Sequence, residues 1–337
     1  MIEARAPVRL DLSGGTLDIW PLHLSLPAPG VTVNVALDMP AFARVDARGD
    51  GRIRIVSRDL GEEVTYASAH AMQRAVLERD CPLLLLSTTL VELGIESGIE
   101  LETEATVPTG SGLGGSSAVL VAVLAALGRT DLEEDDLAAM RILAQGIETR
   151  LMRKLTGYQD FYPPLFGGCL AIEGGIFGPE VEPLPVDLEA LAARLRLVYT
   201  GEPHVSAEAN WGVVKAFLER DPHAVRSIEG LGRIARNQRD ALRRGDLDEA
   251  LACLVEDGGL RRRMAEGVTT GPIEALDEAA RGAGAMGTKI CGAGGGGCVM
   301  VALPAGDSGP VDACLAASGL EVLPVKLTPD GVRITRN

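Results

Sequence analysis

The first 100 residues of the chain alternate between apolar and polar positions in the manner of β-strands. This alternation predicts four strands, separated by Gly, Pro or Asp: VRLDLS, VTVNVALD, FARVDAR and RIRIVSR. Because no helical pattern separates these strands, we expect them to pair in antiparallel fashion. The two apolar segments that follow, HAMQRAVLERD and PLLLLSTTLVELG, predict helices.

A further strand leads into a loop rich in glycine and serine. The segment GIELETEATVP is apolar on one face and carries three glutamates on the other, which is typical of a half-exposed strand in an antiparallel sheet. The loop begins VPTGSGLGGSS and runs directly into the apolar sequence AVLVAVLAAL. This continuous apolar run predicts a buried helix over residues 116–128 that ends at Gly128.

The rest of the chain predicts a second group of helices and strands. Asp131 is placed as the N-cap of an acidic-start helix, which is followed by a loop, GYQDFYPPLFGG, and a strand, CLAIEGG. The Gly/Pro-rich segment GGIFGPEVEPLPVD then predicts a domain boundary, dividing the chain into residues 1–175 and 176–337. Beyond it we expect a strand, LRLVYTG, several Arg/Ala/Leu-rich helices, a glycine-centred strand pair in GAMGTKICGAGGGGCVMVAL, and two closing strands.

Composition narrows the class of protein. The 337 residues are 46% hydrophobic and 23% charged, as in soluble globular proteins, and one large or two medium domains are expected. A net charge of −15 argues against a nucleic-acid or anionic-membrane partner. The N-terminus lacks the order of basic and apolar segments found in signal peptides, so we expect a cytoplasmic protein. No pattern in the chain specifies an oligomeric state.

The reactive residue types are dispersed along the chain. The six cysteines include no C-x-x-C pair, which favours buried thiols over a zinc site or a disulfide framework. The four histidines are equally scattered, so a histidine metal centre or a Ser-His-Asp triad is not expected. There are four lysines, and the G-x-x-x-x-G-K-[ST] phosphate loop is absent.

The glycine-rich loop fits two kinds of nucleotide site. Gly110, Gly112 and Gly115 match G-x-G-x-x-G, the dinucleotide fingerprint, but that motif requires a buried parallel strand before it. The strand found here is amphipathic and follows an antiparallel run, which disfavours the dehydrogenase interpretation. The alternative is an anion cradle, in which glycines let the backbone approach phosphate and the helix start offers free N–H groups. Ser116 and Ser117 lie at this helix start, where a hydroxyl can cap the helix or bind Mg²⁺.

Three segments together resemble the motifs of the GHMP kinase superfamily. RAPVRLDLSGGTLDIW is similar to the first motif of that superfamily, PTGSGLGGSSA to the second and GTKICGAGGGGCVM to the third, in the same order. GYQDFYPPLFGG and LRLVYTG resemble the branch that phosphorylates heptose 7-phosphate and, more distantly, the fucose kinases. The resemblance implies a two-domain α+β fold, with an N-terminal domain like ribosomal protein S5 domain 2 and a ferredoxin-like C-terminal domain. It also implies a small-molecule kinase that uses ATP and Mg²⁺ and phosphorylates a hydroxyl of a sugar or sugar phosphate.

The resemblance assigns roles to individual residues. Asp160 corresponds to the catalytic base, Glu148 to the metal-binding glutamate and Ser116 to the metal-binding hydroxyl, with Ser117 as the alternative. The ATP-binding residues would be Pro108, Gly110, Ser111, Gly112, Leu113, Gly114, Gly115, Ser116 and Ser117. The acceptor-binding residues would be Arg9, Asp18, Thr200, Gly201, Gly294 and Gly295, with Arg5 a weaker choice than Arg9.

Some alternatives remain open from the sequence. Lys289 fits a strand-edge charge or a phosphate contact, and His204 fits a surface residue or an acceptor contact. The run of four glycines, Gly294–Gly297, exceeds what a turn requires and favours a close approach to the phosphate loop or the acceptor. Two other functions compete with this interpretation: a GHMP kinase with a mevalonate-type or homoserine-type acceptor, and a catalytically silent sugar sensor.

Overall fold

The structure is a computed structural model that describes residues 1–128, 134–153, 155–202, 206–264 and 267–336. Within these ranges eight strands form a first sheet, in the order β12-β1-β2-β5-β3-β4, and the β6–β7 hairpin joins it along β2. Its strands are β1 (Ile2–Ser13), β2 (Val31–Ala47), β3 (Ile53–Ser57), β4 (Glu62–Tyr66), β5 (Ile99–Ala105), β6 (Cys169–Gly175), β7 (Gly178–Pro183) and β12 (Arg333–Arg336).

The strands largely follow the alternation in the sequence, but β4 was not among the predicted strands, and there are two further differences. VTVNVALD and FARVDAR form one long strand, β2, which pairs with β1 along its length and with β6 and β5 over successive stretches. The expectation of antiparallel pairing throughout is wrong for β3, which pairs with β5 in parallel. The reason is the long connection from β4 through two helices to β5, which is of the length that a parallel crossover needs.

Six helices are described between β1 and β6, and one of them lies in the centre of the core. They are α1 (Leu22–Ser25), α2 (Ala69–Glu78), α3 (Leu84–Glu92), α4 (Gly115–Leu127), α5 (Glu134–Met152) and α6 (Tyr162–Phe166). Helix α4 is buried from Ser117 to Ala126 and packs on β1 and β2, so its apolar run forms the predicted buried helix. The predicted N-cap, Asp131, lies outside the described residues.

The segments around the expected domain boundary belong to the first sheet. The predicted loop 157–168 contains a 3₁₀ turn (Gln159–Phe161) followed by α6. Strand β7 then folds back on β6, so the division at residue 175 falls within a hairpin, and β12 returns from the end of the chain to pair with β1. Glycine and proline mark a turn here, and the pairing partners decide which sheet the strands join.

The second sheet has the antiparallel order β11-β8-β10-β9 within the described ranges. Its strands are β8 (Leu195–Tyr199), β9 (Gly287–Ile290), β10 (Cys298–Ala302) and β11 (Glu321–Leu323). The helices of this part are α7 (Leu188–Ala193), α8 (Ser206–Leu218), α9 (Pro222–Arg243), α10 (Leu247–Arg262), α11 (Gly271–Gly282) and α12 (Gly309–Ala317). One apolar cluster includes residues of both sheets, from Val8 and Leu101 to Leu197 and Met300. In the described part of the chain, none of the helices has the length and apolar character needed to span a membrane.

Candidate active site

A cavity of about 440 Å³ lies where the glycine-rich loop meets the end of β1. Its wall is formed by the end of β1 with the turn after it, the loop 107–112, the start of α4, the end of α5, the segment 155–160 and part of α10. The end of β3 with the turn after it, the start of α3 and the end of β5 complete the wall. Gly292 and Ala293 add the third motif to this wall. Three segments far apart in the sequence therefore meet at one cavity.

The glycines of the loop allow another backbone to approach closely. Gly110, Gly112 and Gly114 have φ angles of 72°, 75° and 76°, a region that other residues rarely occupy. A Cβ on Gly112 would lie 2.4 Å from the carbonyl oxygen of Cys291, and a Cβ on Gly297 would lie 2.9 Å from that of Gly110. The N–H of Cys298 donates to the carbonyl of Ser111 at 2.8 Å. The third motif thus supports the loop from behind, as its run of glycines predicted.

Two serines at the start of α4 differ in exposure. Ser116 is exposed and lines the cavity, whereas Ser117 is buried. The Ser117 hydroxyl lies beside the carboxyl group of Glu148 and makes no hydrogen bond of normal geometry. Burial and the nearby Asp160 raise the pKa of Glu148 to about 7, although Ser117 and Arg9 oppose the shift. This corner therefore holds oxygen ligands that a cation would stabilise.

Asp160 lies at the junction of the loop and the rest of the cavity. Its Oδ1 accepts a hydrogen bond from Nε of Arg9 at 2.8 Å, and the side chain remains 33% exposed. Arg9 is buried and also donates to the carbonyl of Gly112. Burial opposes its charge, but Asp160 keeps the pKa of Arg9 above its usual value. One guanidinium group therefore links the candidate base to the candidate phosphate loop.

Asp18 forms the part of the wall next to Asp160. Its Oδ2 accepts from the backbone N–H of Gln159 at 2.9 Å, and a Cβ on Gly157 would lie 1.8 Å from the same oxygen. The residue is 3% exposed, and burial, with a contribution from Asp160, raises its pKa to about 7. Gly157 is thus required for the carboxyl group to reach this position.

A buried ionic cluster beneath the cavity was missed by the sequence analysis. Nζ of Lys289 donates to Oδ2 of Asp11 at 3.0 Å and lies 3.8 Å from Oδ1 of Asp257. Asp257 accepts from Nε of Arg261 at 2.6 Å and from the backbone N–H of Gly14 at 2.9 Å. Lys289 is fully buried in this cluster, so it is neither a strand-edge charge nor part of the described cavity wall.

The sequence held a weak signal for this cluster. Arg9 and Asp11 alternate with apolar residues on β1, and all of these positions are buried, which places charged groups in the interior. Asp257 and Arg261 form an i,i+4 pair that is indistinguishable from a solvated helix face in sequence. Only the packing of α10 on β9 and β1 reveals its burial.

The structure does not bring every candidate to the cavity. Thr200, Gly201, Gly294 and Gly295 are absent from the described wall. The Thr200 hydroxyl donates to the carbonyl of Gly297, and the N–H of Gly295 donates to that of Val268. Arg5 pairs with Asp38 away from the cavity, and His204 lies outside the described residues.

The remaining candidates surround the loop. Pro108, Gly110, Ser111, Gly112, Gly114, Gly115 and Ser116 line the cavity together with Arg9, Asp18, Glu148 and Asp160. Leu113 and Ser117 lie behind them and are buried. The carbonyl of Leu113 accepts from the backbone N–H of Arg9 at 3.0 Å, which joins the loop to β1.

Sequence comparisons identify two domains of one family. The family "GHMP kinases N terminal domain" matches residues 81–168, and "GHMP kinases C terminal" matches residues 238–310. The chain is 27% identical over 319 residues to the bifunctional fucokinase/GDP-fucose pyrophosphorylase of Arabidopsis thaliana. That match covers 89% of this chain and 29% of the longer plant protein. This chain is also 26% identical over 317 residues to a mevalonate kinase of Pyrococcus horikoshii, and that match covers 89% of this chain and 90% of the mevalonate kinase.

A solved structure shares the fold over the whole chain. The D-glycero-D-manno-heptose 1-phosphate kinase from Bacteriodes thetaiotaomicron superposes with a TM-score of 0.76 at 23% sequence identity. The superposition covers 100% of this chain and 99% of that chain. With both domains present in order around one glycine-rich cavity, the chain carries the N-terminal and C-terminal domains of the GHMP kinases, which are phosphotransferases with alcohol acceptors.

Proposed function

We propose that the protein is an ATP-dependent sugar kinase, which transfers the γ-phosphoryl group of ATP to a hydroxyl of a sugar or sugar phosphate of the heptose 7-phosphate type. One observation carries this proposal. The carboxylate of Asp160 is bound to Arg9 between the glycine-rich loop on one side and the polar wall around Asp18 on the other. A donor phosphate on the loop and an acceptor hydroxyl near Asp18 would both be adjacent to this carboxylate.

The loop and the start of α4 form the donor side of the site. No side chain caps the N-terminus of α4, which leaves its first N–H groups for a phosphate. The loop glycines let the nucleotide approach the backbone, and Arg9 adds positive charge behind it. Phosphoryl transfer depends mainly on this kind of positioning and charge neutralisation.

Ser116, Ser117 and Glu148 fit a Mg²⁺ site at the edge of the donor side. The Ser117 hydroxyl makes no hydrogen bond of normal geometry, and the Glu148 carboxyl group is held in a place that disfavours its charge. A hard cation with oxygen ligands satisfies both groups. When bound, Mg²⁺ would neutralise charge on the nucleotide phosphates.

Asp160 would orient the acceptor hydroxyl and accept its proton. In the transfer, the acceptor oxygen forms a bond to the γ-phosphorus, and the bond from that phosphorus to the β–γ bridging oxygen breaks. ADP leaves with the electron pair of the broken bond. Arg9 holds the Asp160 carboxylate in place at 2.8 Å, with part of the carboxylate exposed to the cavity.

The test is ADP release with a panel of sugars, sugar phosphates and mevalonate. Asp160→Asn should retain ATP binding and lose turnover by roughly 100-fold or more, the range of general-base catalysis. Asp80→Asn, an exposed substitution outside the cavity wall, is the matched control and should turn over like the parent. Near-parental turnover by Asp160→Asn would remove the proposed role.

A mevalonate-type acceptor is the second candidate, because mevalonate kinases match most of this chain at 26% identity. Turnover of mevalonate and of no sugar in the panel would favour it. Binding of sugars without turnover, by both the parent protein and the Asp80→Asn control, would instead identify a silent sensor.

A further inference from the structure

The described wall of the cavity is rich in acidic groups. It carries five carboxyl groups and two guanidinium groups, and no described lysine or histidine lines it: Asp11, Asp18, Asp59, Glu148, Asp160, Arg9 and Arg261. Carboxyl groups therefore outnumber guanidinium groups on the described wall, although Asp11 is also paired with Lys289 beneath it. ATP with its metal would bind at the loop, so the charged groups near Asp18 would act on the acceptor.

Both guanidinium groups are already paired with carboxylates. Nε of Arg9 donates to Asp160 at 2.8 Å, and Nε of Arg261 donates to Asp257 at 2.6 Å. Arg261 also donates to the carbonyl of Gly15. Both groups are thus engaged by the protein, and neither is left unpaired as an anchor for a phosphate or carboxylate of the acceptor.

The wall next to Asp160 presents oxygen acceptors in close proximity. We call it the acceptor wall and define it as Asp11, Gly15, Asp18 and Gln159. A Cβ on Gly15 would lie 2.4 Å from Oδ2 of Asp11 and 2.9 Å from Nε2 of Gln159, and Gln159 donates its N–H to Asp18. Oδ1 of Asp11 and Oε1 of Gln159 are buried and have no hydrogen-bond donor within the described protein. This wall therefore contains hydrogen-bond acceptors for which the described protein supplies no donors.

Sugar hydroxyls supply such donors, whereas ionised phosphates and carboxylates only accept. Hydrogen bonds from O–H groups to carboxylates are among the stronger ones, and like charges at close range in a partly buried site are unfavourable. We propose that the acceptor is a neutral polyhydroxylated molecule, an unphosphorylated sugar, whose hydroxyls are bound by the acceptor wall beside Asp160. This inference rests on the proposed kinase function and narrows its substrate class.

In the proposed reaction the acceptor is uncharged until the phosphoryl group is transferred to it. One sugar hydroxyl oxygen forms the bond to the γ-phosphorus of ATP, its proton passes to the Asp160 carboxylate, and the bond to the β–γ bridging oxygen breaks to release ADP. The product is the sugar's phosphate monoester. The enzyme would thus add the first phosphate group to the sugar. An enzyme of another class would use the resulting ester as its substrate.

Matched pairs of substrates test the inference. Free pentoses, hexoses and heptoses, their 1-phosphate and terminal-phosphate esters, and mevalonate are assayed by ADP release, and their binding is measured by calorimetry in the presence of Mg-ADP. We expect at least one free sugar to exceed its own esters in kcat/KM by about tenfold or more. That ratio corresponds to a difference of about 1.4 kcal/mol.

The outcomes separate this inference from the kinase function itself. Preference for an ester over its free sugar overturns the neutral acceptor and leaves a sugar kinase. Turnover of mevalonate alone overturns both. If no compound is turned over, the kinase proposal fails, and the calorimetry still decides the inference: binding of a free sugar in preference to its esters supports it, and the absence of such binding overturns it.

A variant assigns the discrimination to the acceptor wall. Asp18→Asn replaces one oxygen of a carboxyl group that can ionise by an N–H donor at a similar volume, so the ratio of kcat/KM between free sugar and ester should fall several-fold. Asp80→Asn removes an exposed charge outside the cavity and should leave this ratio unchanged. A merely structural role for Asp18 would lower turnover of both substrates equally, and an unchanged ratio in folded Asp18→Asn would contradict the role given to that residue.

Discussion

Asp18 illustrates at the residue scale how a binding group is held at a cost in stability. It is 3% exposed and has a pKa of about 7 in the fold, against an ordinary value of 3.8. Unfolded chains therefore lose this proton at lower pH than folded ones, and rising pH favours unfolding until the folded group also ionises near pH 7. Above that pH the full penalty, as much as roughly 4 kcal/mol, is present.

Asp18→Asn escapes this penalty because its amide carries no proton that titrates. We predict that the free energy of unfolding of the variant, relative to wild type, rises by about 1.4 kcal/mol per pH unit between pH 4 and 7. Urea unfolding of both proteins at several pH values measures the difference. A difference that does not change with pH would contradict the burial of an uncharged Asp18.

Lys289 is a second residue whose charge affects stability, because only the folded chain brings its carboxylate partners to it. It is fully buried between Asp11 and Asp257. Lys289→Met should lower the free energy of unfolding by about 3–5 kcal/mol, since it leaves buried carboxylates without their partner. Lys326→Met is the matched control, because Lys326 pairs with Asp38 at 2.7 Å but is 76% exposed, and its loss should cost about 1 kcal/mol or less. Urea unfolding measures both variants, and equal decreases in their free energy of unfolding would show that the burial of Lys289 has no energetic consequence.

At the scale of elements, the glycine-rich loop and the third motif act as one unit. Gly112 combines a φ of 75° with a potential Cβ that would lie 2.4 Å from the Cys291 carbonyl. Gly112→Ala should therefore destabilise the fold by more than left-handed backbone strain alone, which is about 1 kcal/mol, and should weaken ATP binding because the loop must move.

Gly245→Ala provides the matched control for the loop. Gly245 has a φ of 74°, lies between α9 and α10, and has open space where a Cβ would be. It should show the backbone strain and unchanged ATP affinity. Calorimetric titration with Mg-ATP and urea unfolding compare the two variants, and equal behaviour would argue against support of the loop by the third motif.

The elements themselves were largely predictable because their signals are local. The all-apolar run of α4 and the alternation in β5 each specify burial on their own. The parallel pairing of β3 with β5 and the β6–β7 hairpin across the expected domain boundary were not predicted. Strand partners are chosen by the packing of distant segments, and no local pattern encodes them.

At the scale of the whole molecule, the apolar core joins the two sheets. A single cluster contains Val8 and Leu101 of the first sheet and Leu197 and Met300 of the second. We predict that amides in β5 and in β10 exchange hydrogen with the same free energy of opening, because both sheets unfold together. Hydrogen exchange followed by mass spectrometry in low urea measures this. A lower opening free energy for β10 than for β5 would instead identify two units that unfold separately.

The sequence by itself determined most of the strands and helices, the family resemblance and the candidate residues near the loop. Those features rest on periodicity and on motifs that are contiguous in the chain. Only the tertiary structure decided that Asp18, Glu148 and Asp160 share one cavity, that Lys289 is buried against Asp11, and that Thr200 and Gly294 face elsewhere. The acidic character of the acceptor wall also came from the fold. A charged residue has the same letter whether it is solvated or buried, and its neighbours across the fold determine its partners, its pKa and what it can bind.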